Sequence, residues 1–557
     1  MGASTAVIQP SPTQIVRAFS GAVPSELSKS PLLGILGVVM GAGIVTLAGR
    51  MLTMGLADLK GHVGISFDDG AWLSTAFNMA LVFIGPFTVY LGGFFGPRRI
   101  LLFASGAFAL ICTFLPFAHN YSLLITGLIL AGLTSGTFYP LTLTFALRNI
   151  PLRFLPFTIA LYASSVDFSV NIAPSLYGWY RDHLSWHWMF WNSTLVTLPM
   201  MACIYYGIPA SPPTGKNSSP PSFAGFFYGS MGFALLFAAL DQGERLDWWR
   251  SGTFTALFVA GSFFLLCALV RRLRGANPLV DLASLGMRNT LLLGTGLFLF
   301  RFTLLCTIVL VPQSLSIHGF EASQYGPALV WTAAAQILIA FVAALLLLRN
   351  VDSRLVMATG FACTALSCCL NADLTSAWSA SNYYRTELLM GVGQSFAFIG
   401  LVSTIVLQAV FSGALAKPQR TLTFSAYFHL IRLFGGNLGA VFMAHFIAQR
   451  EKLHSNLLGL HVQRGNWITD GTIHQTTAGL FAKSAGVADA TARAVGLVGA
   501  RVRLQAYTLT FIDGFHLIAW TCVLMLFLVA LLRKSPLSYG DLSQAQPFGS
   551  AAQKGKS

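Results

Sequence analysis

Long apolar runs recur along almost the whole chain, and short polar, glycine- or proline-containing stretches separate them. Most runs have about 20 residues, the length that a helix needs to cross the hydrocarbon core of a bilayer. The pattern therefore predicts an all-α polytopic membrane protein. Fourteen membrane-spanning helices are expected, at residues 32–56, 71–93, 99–117, 122–147, 156–178, 187–207, 222–241, 252–270, 289–312, 324–348, 354–371, 385–411, 424–448 and 508–532.

Two polar segments break this pattern at greater length. The N-terminal segment contains no long apolar run before Pro31, so we expect no cleavable signal peptide and predict that the first span acts as the insertion signal. The stretch AQREKLHSNLLGLHV (448–462) leads into the segment 449–507 and predicts a helix that continues beyond the membrane. The second part of this segment, FAKSAGVADATARAVGLVGARVRLQAY, predicts a weakly amphipathic helix lying on the membrane surface.

The composition agrees with a protein dissolved in lipid. Hydrophobic residues make up 55% of the 557 residues and charged residues only 10%, whereas a soluble domain carries about 25% charged residues. The mean hydropathy is +0.67 over the whole chain. All eight cysteines lie in apolar runs without a C-x-x-C pair, so we interpret them as packing residues.

The net charge of +15 is explained by basic residues in the loops between the predicted spans. Lysine and arginine concentrate in alternate loops, such as Arg98-Arg99, the RRLR stretch at 271–274 and Arg533-Lys534. Cytoplasmic loops of membrane proteins carry such an excess, so the chain is predicted to have both termini in the cytoplasm. No basic stripe is interleaved with aromatic residues, and nucleic-acid binding is not expected.

The sequence contains no motif of an enzyme or a cofactor site. A phosphate-binding loop, a G-x-S-x-G elbow and an H-E-x-x-H pair are all absent, and the glycine-rich GVGQSF at 391–396 lies inside an apolar run. We therefore expect no catalytic residues, no cofactor and no metal. A transporter of this kind would draw its energy from a gradient.

Asp167 is the acidic residue that lies deepest in a predicted span. An ionisable residue there costs about 2.5–3.5 kcal/mol, which calls for an explanation. Because burial favours the uncharged form of a carboxylate, Asp167 is a candidate for binding the coupling proton. Two alternatives stay open: a structural salt bridge with Arg50, and contact with the substrate.

Four of the other ionisable residues in predicted spans form a second set of candidates: Arg50, Arg301, Arg432 and His429. A guanidinium in a cavity favours carboxylate or phosphate groups. Each arginine has a structural alternative: Arg50 as the partner of Asp167, and Arg301 bound to a backbone carbonyl. Arg432 and His429, which share one helix face at i and i+3, have the alternative of joining helix ends.

Several segments, in order along the chain, resemble the fourteen-helix drug:proton antiporters of the major facilitator superfamily. They are SWHWMFWN (185–192), LDQGERLDWW (240–249), Arg385 followed by GVGQ (391–394), YFHLIRLFGGNLGAVF (427–442) and LQAYTLTFIDGFHLIAW (504–520). The resemblance covers most of residues 32–532.

The resemblance implies a major facilitator fold, with two six-helix bundles and two extra central helices. The expected division is a cytoplasmic tail (1–31), the first bundle (32–207), the extra helices with their linkers (208–288), the second bundle with the long external loop 449–507 (289–532), and a second cytoplasmic tail (533–557). Proton-coupled efflux of amphipathic small molecules across the bacterial inner membrane is the implied function. Some relatives also use a periplasmic adaptor and an outer-membrane channel, which makes these candidate partners.

This chain departs from the resemblance at three polar positions. The loop after helix two normally reads G-x-L-x-D-R-x-G-R-R, and here LGGFFGPRRI places Gly93 where the acid would be. Leu128 stands where helix four has an arginine, and Arg50 stands where helix one has an acid. The candidate gating loop comprises Gly92, Gly93, Gly96, Arg98 and Arg99. In the family, the acid of this loop helps to hold the two bundles together on the cytoplasmic side. We therefore expect this latch between the bundles to be weaker here than in the family.

A second candidate for gating lies in helix five, where the stretch APSLYG contains Pro174 and Gly178. Small residues permit close helix contact, so we predict a hinge or a tight seal between the bundles here. Two other functions remain alternatives to efflux. One is an uptake permease for an organic anion or metabolite with a positively charged cavity, and the other is a membrane sensor or scaffold that transports nothing.

Overall fold

A computed structural model describes residues 30–149, 154–208, 223–274, 286–411, 418–463, 465–534 and 538–539. Within these ranges the chain forms helices and turns and no β-strand. The helices are α1 (Pro31–Val63), α2 (Phe67–Phe95), α3 (Pro97–Phe114), α4 (Tyr121–Ser135), α5 (Phe138–Asn149), α6 (Leu155–His183), α7 (Trp188–Gly207), α8 (Phe223–Gln242), α9 (Gly252–Arg274), α10 (Arg288–Ile317), α11 (Ala322–Leu348), α12 (Ser353–Asn371), α13 (Tyr384–Phe411), α14 (Pro418–Gly459), α15 (Trp467–Leu480) and α16 (Val487–Leu531).

Twelve spans in the described part of the chain are long and apolar enough to cross a membrane, with α4 and α5 counted as one. The all-helical polytopic fold predicted from the sequence is therefore confirmed. Of the fourteen predicted membrane-spanning helices, twelve are thus supported by their length and hydropathy. Helices α6 and α7 occupy the two remaining predicted spans with 29 and 20 residues, but they are not among the twelve. Helix α6 carries several buried polar side chains, including Asp167 and Asn171, which lower its hydropathy.

The predicted single helix 122–147 is wrong in one respect, because the chain forms two helices in series there. Helix α4 ends at Ser135 and α5 begins at Phe138. Pro140 has no backbone N–H to donate to Gly136, so the regular hydrogen-bond ladder cannot run through this point. The break positions the start of α5, which contributes to the site described below.

Helices α14 and α16 extend well beyond a bilayer. Their 42 and 45 residues correspond to about 63 and 68 Å, against about 30 Å of hydrocarbon. Charged contacts join the two extensions: Asp513 lies 3.0 Å from Arg450 and 2.8 Å from His454, and Glu451 lies 3.4 Å from Arg503. The predicted continuation of the helix past residue 449 is thus confirmed.

The prediction that the second part of this segment lies as a helix on the membrane surface is wrong. Residues 487–505 are the beginning of α16 and are continuous with its membrane-spanning part. The reason is that residues such as Ala490 and Ala494 are fully buried in the extension, where α15 packs against α16. We call the face from which this extension projects the loop face, and the opposite face, where α1 begins and α16 ends, the tail face.

The extra helices α8 and α9 attach to the bundle through α8. Helix α8 packs against α2 and α14, whereas α9 packs mainly along α8. Polar contacts at the LDQGERLDWW turn hold this arrangement, with Arg245 2.7 Å from Asp68 on the α2 side and Glu244 2.6 Å from His445 of α14. We define α1–α7 as the first half of the protein and α10–α14 with α16 as the second half. Helix α8 thereby contacts both halves.

The candidate gating loop is the turn from α2 to α3. Gly92 and Gly93 lie in the last turns of α2, and Gly96 joins the two helices with a φ of +87°. The Arg98 guanidinium donates to the Tyr205 carbonyl oxygen at 2.7 Å and lies over the Tyr205 ring, while Arg99 is exposed.

We expect Gly96→Ala to destabilise the protein by about 1–3 kcal/mol, because a side chain at this φ strains the backbone. Thermal unfolding in detergent would measure the change. Gly229→Ala in α8 is the control, since nothing lies within 4 Å of the added Cβ there. Equal unfolding temperatures for the two variants would contradict the expectation.

Candidate functional site

Six side chains from both halves meet near the middle of the bundle. The first half contributes Tyr139 from α5 with Tyr162 and Asp167 from α6, and the second half contributes Arg301 from α10 with His429 and Arg432 from α14. Counted from the tail-face ends of their helices, Asp167, Arg301 and Arg432 lie about 18–21 Å along the axis. These six residues are the central cluster.

Asp167 and Arg301 form a charge pair across the interface between the halves. Arg301 Nη1 lies 3.9 Å from Asp167 Oδ1. Asp167 is 0% exposed and Arg301 is 7% exposed, so water screens the pair very little. The pair connects α6 of the first half to α10 of the second, where any relative movement of the halves would alter it.

The alternative salt bridge between Asp167 and Arg50 is wrong. Arg50 donates from Nη2 to the backbone carbonyl oxygen of Ile308 at 3.3 Å. Within the described ranges, Arg301 is the ion-pair partner of Asp167. Arg50 lies in the loop-face half of α1, away from the turns that carry the cluster, and it joins α1 to α10 there.

Arg432 lies against aromatic rings of the first half. Its guanidinium carbon is 3.9 Å from the centre of the Tyr139 ring, a distance at which a cation is attracted to the ring face. His429 stacks on the same ring with centroids 4.8 Å apart, and Tyr162 lies 5.3 Å from it. The interpretation that His429 and Arg432 only join helix ends is therefore wrong, since both are buried mid-helix.

The central cluster contains many buried polar atoms without a hydrogen-bond partner. They are both oxygens of Asp167, Nε and Nη1 of Arg301, Nε and Nη1 of Arg432, both ring nitrogens of His429 and the hydroxyl of Tyr162. Buried polar atoms are nearly always paired, and such a concentration is unusual. The donors and acceptors at this point are therefore available to bind a ligand or a proton.

A cluster of amides lies beside the charges and also crosses the interface. Gln394 Oε1 accepts from Asn171 Nδ2 at 3.1 Å and from Gln336 Nε2 at 3.0 Å. Gln394 Nε2 donates to Thr307 Oγ1 at 3.2 Å. The sequence places the GVGQ segment inside an apolar run, but it gives no sign that Gln394 meets Asn171 and Gln336.

The two halves are in backbone contact near the loop face. A Cβ added at Gly178 of α6 would lie 2.6 Å from the Ser323 nitrogen, and one at Gly326 of α11 would lie 2.7 Å from the Ser175 Cα. An ion pair between Arg181 and Glu321 joins the same helices. Gly178, the predicted seal residue, thus lies at an α6–α11 seam, and Pro174 precedes it by one turn inside α6.

Glu387 is a second buried acid, outside the central cluster. Its Oε2 accepts from Thr332 Oγ1 at 2.7 Å, which ties α13 to α11 within the second half. Among the described residues, no group of three or more histidine, cysteine, aspartate or glutamate side chains has a geometry that could hold a metal ion.

Comparison with known proteins places the chain among membrane transporters. The family model described as Major Facilitator Superfamily matches residues 38–315. The fatty acid resistance protein FarB of Neisseria gonorrhoeae is 24% identical over 452 residues, 81% of this chain and 85% of that protein. The multidrug export protein EmrB of Haemophilus influenzae is 24% identical over 421 residues, 75% of this chain and 80% of that protein.

A solved structure agrees on the fold. The human organic anion transporter MFSD10 superposes with a TM-score of 0.51 at 12% identity, over 93% of this chain and 100% of that one. At this identity the likeness bears on the fold alone. The chain is a non-enzymatic, multi-pass membrane protein, and it belongs to the major facilitator superfamily as a divergent relative of its multidrug-export members.

Proposed function

We propose that the protein exports amphipathic small molecules across the bacterial inner membrane in exchange for protons, by alternating access between its two halves. Both termini would then lie in the cytoplasm and the loop face would be external. The names of its relatives, which include multidrug export and fatty acid resistance, support export. The tail-face excess of lysine and arginine supports the orientation.

The observation that carries the proposal is the Asp167–Arg301 pair. A proton on Asp167 removes one of two opposite charges that hold α6 to α10. Protonation therefore changes the relative free energies of arrangements in which the halves are closer or farther apart, which is what coupling requires. Arg432, near both charges, adds to the same electrostatic balance.

Proton movement in inverted membrane vesicles tests this function. A pH-quenched dye reports proton movement while lipophilic cations, neutral compounds and organic anions are added in turn. We expect compound-dependent dequenching with the wild type and a signal lower by at least about tenfold, or about 1.4 kcal/mol, with Asp167→Asn. Asp373→Asn, which removes an exposed carboxylate outside the cluster, is the control. An undiminished signal in Asp167→Asn would exclude Asp167 as the coupling group.

The two arginines favour a second candidate, the uptake of an organic anion together with a proton. An anion bound near Arg301 and Arg432 competes with Asp167 for positive charge, so it would favour protonation of Asp167. Anion and proton would then move in the same direction. In the vesicle experiment the dye signal for an anion would have the opposite sign to that of an exchanged compound.

The adaptor and outer-membrane channel remain proposed partners. The extension formed by the ends of α14 and α16 with α15 is the candidate contact, because it projects beyond the bilayer on the loop face. Export from vesicles that contain this chain alone would show that transport across the inner membrane does not require them.

A further inference from the structure

The extra helix α8 touches both halves, and its contacts with the first half run along its whole length. Near the tail face, the Phe223 ring lies edge-on to Phe87 of α2, with centroids 5.5 Å apart. Near the loop face, Thr75 of α2 donates to the Asp241 carboxylate at 2.5 Å. Helix α8 also packs more extensively on α2 than on α14. We therefore expect α8 to move together with the first half.

The contacts of α8 and its turn with the second half form one stripe on α14. In mid-membrane, the Phe434 and Phe237 rings have centroids 5.8 Å apart, and Asn437 Nδ2 donates to the Phe237 carbonyl oxygen at 3.4 Å. At the loop face, His445 Nδ1 lies 2.6 Å from Glu244 Oε2 in the turn between α8 and α9. Residues 434 and 445 are about three turns apart, so they share one face of α14 and cover about 16 Å of its length.

Direct contact between α14 and the first half lies closer to the tail face. A Cβ added at Gly85 of α2 would lie 3.0 Å from His429 Cδ2. One turn nearer the tail face, Ser425 accepts from Thr144 of α5 at 3.4 Å. His429 lies about 24 Å from His445 along α14. On this side of the protein, α14 therefore meets α2 and α5 toward the tail face and α8 toward the loop face.

The turn between α8 and α9 has a strained conformation that directs Glu244 to α14. Asp247 and Trp248 have φ values of +58° and +51°, which residues other than glycine rarely adopt. The Trp248 ring folds back over Gly243, and its Nε1 donates to Glu244 Oε2 at 3.2 Å. The same oxygen faces His445. Strain of this kind persists only where the surrounding structure fixes it, which indicates a rigid turn.

We propose that α8 with its turn clamps the loop face closed, by holding α14 to the first half through Phe434, Asn437 and His445. We call this set of contacts the α8 clamp. Because α8 belongs to the first half by its packing, the loop-face part of α14 must leave α8 when the halves separate there. Separation at the tail face leaves the α8 clamp intact. The inference rests on the proposed function only in that the two halves alternate between these arrangements.

Distances between spin labels test the α8 clamp in the whole chain, in nanodiscs and without compound or gradient. The labels are attached in a chain whose eight native cysteines are changed to alanine. Pulsed electron paramagnetic resonance then measures the distance within each pair. The three pairs of exposed positions are the clamp pair Trp249 and Leu453, the α2 pair Phe67 and Trp249, and the seam pair Leu184 and Leu388.

Removal of the two polar contacts should open the α8 clamp. In the double variant Asn437→Ala with His445→Ala, we expect the fraction of long clamp-pair distances to rise about tenfold, because a hydrogen bond and a partly exposed ion pair are lost together. The seam pair should lengthen in the same samples, whereas the α2 pair should stay unchanged. His474→Ala, at an exposed position on α15, is the control and should change none of the three distances.

Three results would overturn the proposal. One is an unchanged clamp pair in the double variant. Another is a longer clamp pair with an unchanged seam pair, because α8 would then only detach from α14. The third is a longer α2 pair, because α8 would then move with the second half.

Hydrogen exchange decides the question if the cysteine-free chain does not fold. It is measured on the chain with its own cysteines, with and without the double variant. The backbone amides 322–326 at the α6–α11 seam should exchange faster in the double variant, because opening of the loop face exposes them. Equal exchange rates would contradict the α8 clamp.

These measurements depend neither on export nor on proton exchange. Opening of the clamp pair and the seam pair without compound-dependent proton movement in vesicles would support the α8 clamp and overturn the proposed function. Compound-dependent proton movement, with no effect of the double variant on either distance, would support the proposed function and overturn the α8 clamp.

Discussion

Arg301→Gln should lower the stability of the protein by about 3 kcal/mol, because it leaves Asp167 buried without its ion-pair partner. The value is at the low end for a buried pair for two reasons. Arg432 still interacts with Asp167, and the carboxyl group can take up a proton. Thermal unfolding in detergent at neutral pH, followed by tryptophan fluorescence, measures the loss.

The double variant Arg301→Gln with Asp167→Asn distinguishes pairing from simple loss of an arginine. Removing both charges leaves neutral groups that can hydrogen-bond, so we expect most of the lost stability to return while coupled transport stays absent. Arg99→Gln, at an exposed position, should not change the unfolding temperature. If the double variant unfolds at the same temperature as Arg301→Gln alone, the two side chains are not energetically coupled.

Gly178→Ala should largely prevent closure of the α6–α11 seam. The added Cβ would lie 2.6 Å from the Ser323 nitrogen and 2.8 Å from the Ala322 carbonyl carbon, and backbone atoms cannot move aside as a side chain can. Overpacking of this kind costs about 1–3 kcal/mol, which lowers the population of the closed arrangement about 5- to 150-fold. Transport in proteoliposomes should fall accordingly.

Opening of the α6–α11 seam can be measured separately from transport. Spin labels at Leu184 and Leu388, which are both exposed and near the loop face, should show longer distances in Gly178→Ala than in the wild type. Gly61→Ala, also near the loop face but with nothing within 4 Å of the added Cβ, should match the wild type. Unchanged distances together with unchanged transport would show that this contact does not act as a seal.

The seam and the gating loop contribute differently to the interface. The family places an acid where Gly93 stands, and no carboxylate is available at this position to latch the tail face. Near the loop face, by contrast, the halves touch through glycines and through the Arg181–Glu321 pair. We expect Gly93→Asp to strengthen the tail-face latch and shift the carrier toward opening at the loop face. Cysteine accessibility on the two faces measures this shift.

The sequence by itself determined the class of protein and most of its helices. Apolar runs of about 20 residues have one stable solution in lipid, since a helix satisfies every backbone hydrogen bond within its own segment. The predicted spans 222–241 and 252–270 thus agree closely with α8 and α9. The cost of placing a charge in a span likewise identified Asp167, Arg301, His429 and Arg432 before any contact between them was known.

Only the tertiary structure decided which of these residues meet. Asp167 pairs with Arg301 and not with Arg50, although Arg50 belongs to the same half of the chain. Helical periodicity gives the face of one helix, but not the depth and rotation at which another helix, more than a hundred residues away, packs against it. The Asn171–Gln394 contact and the Arg432–Tyr139 contact depend on the same long-range packing. The local pattern therefore supplied the charged groups, and the docking of the two halves arranged them into one site.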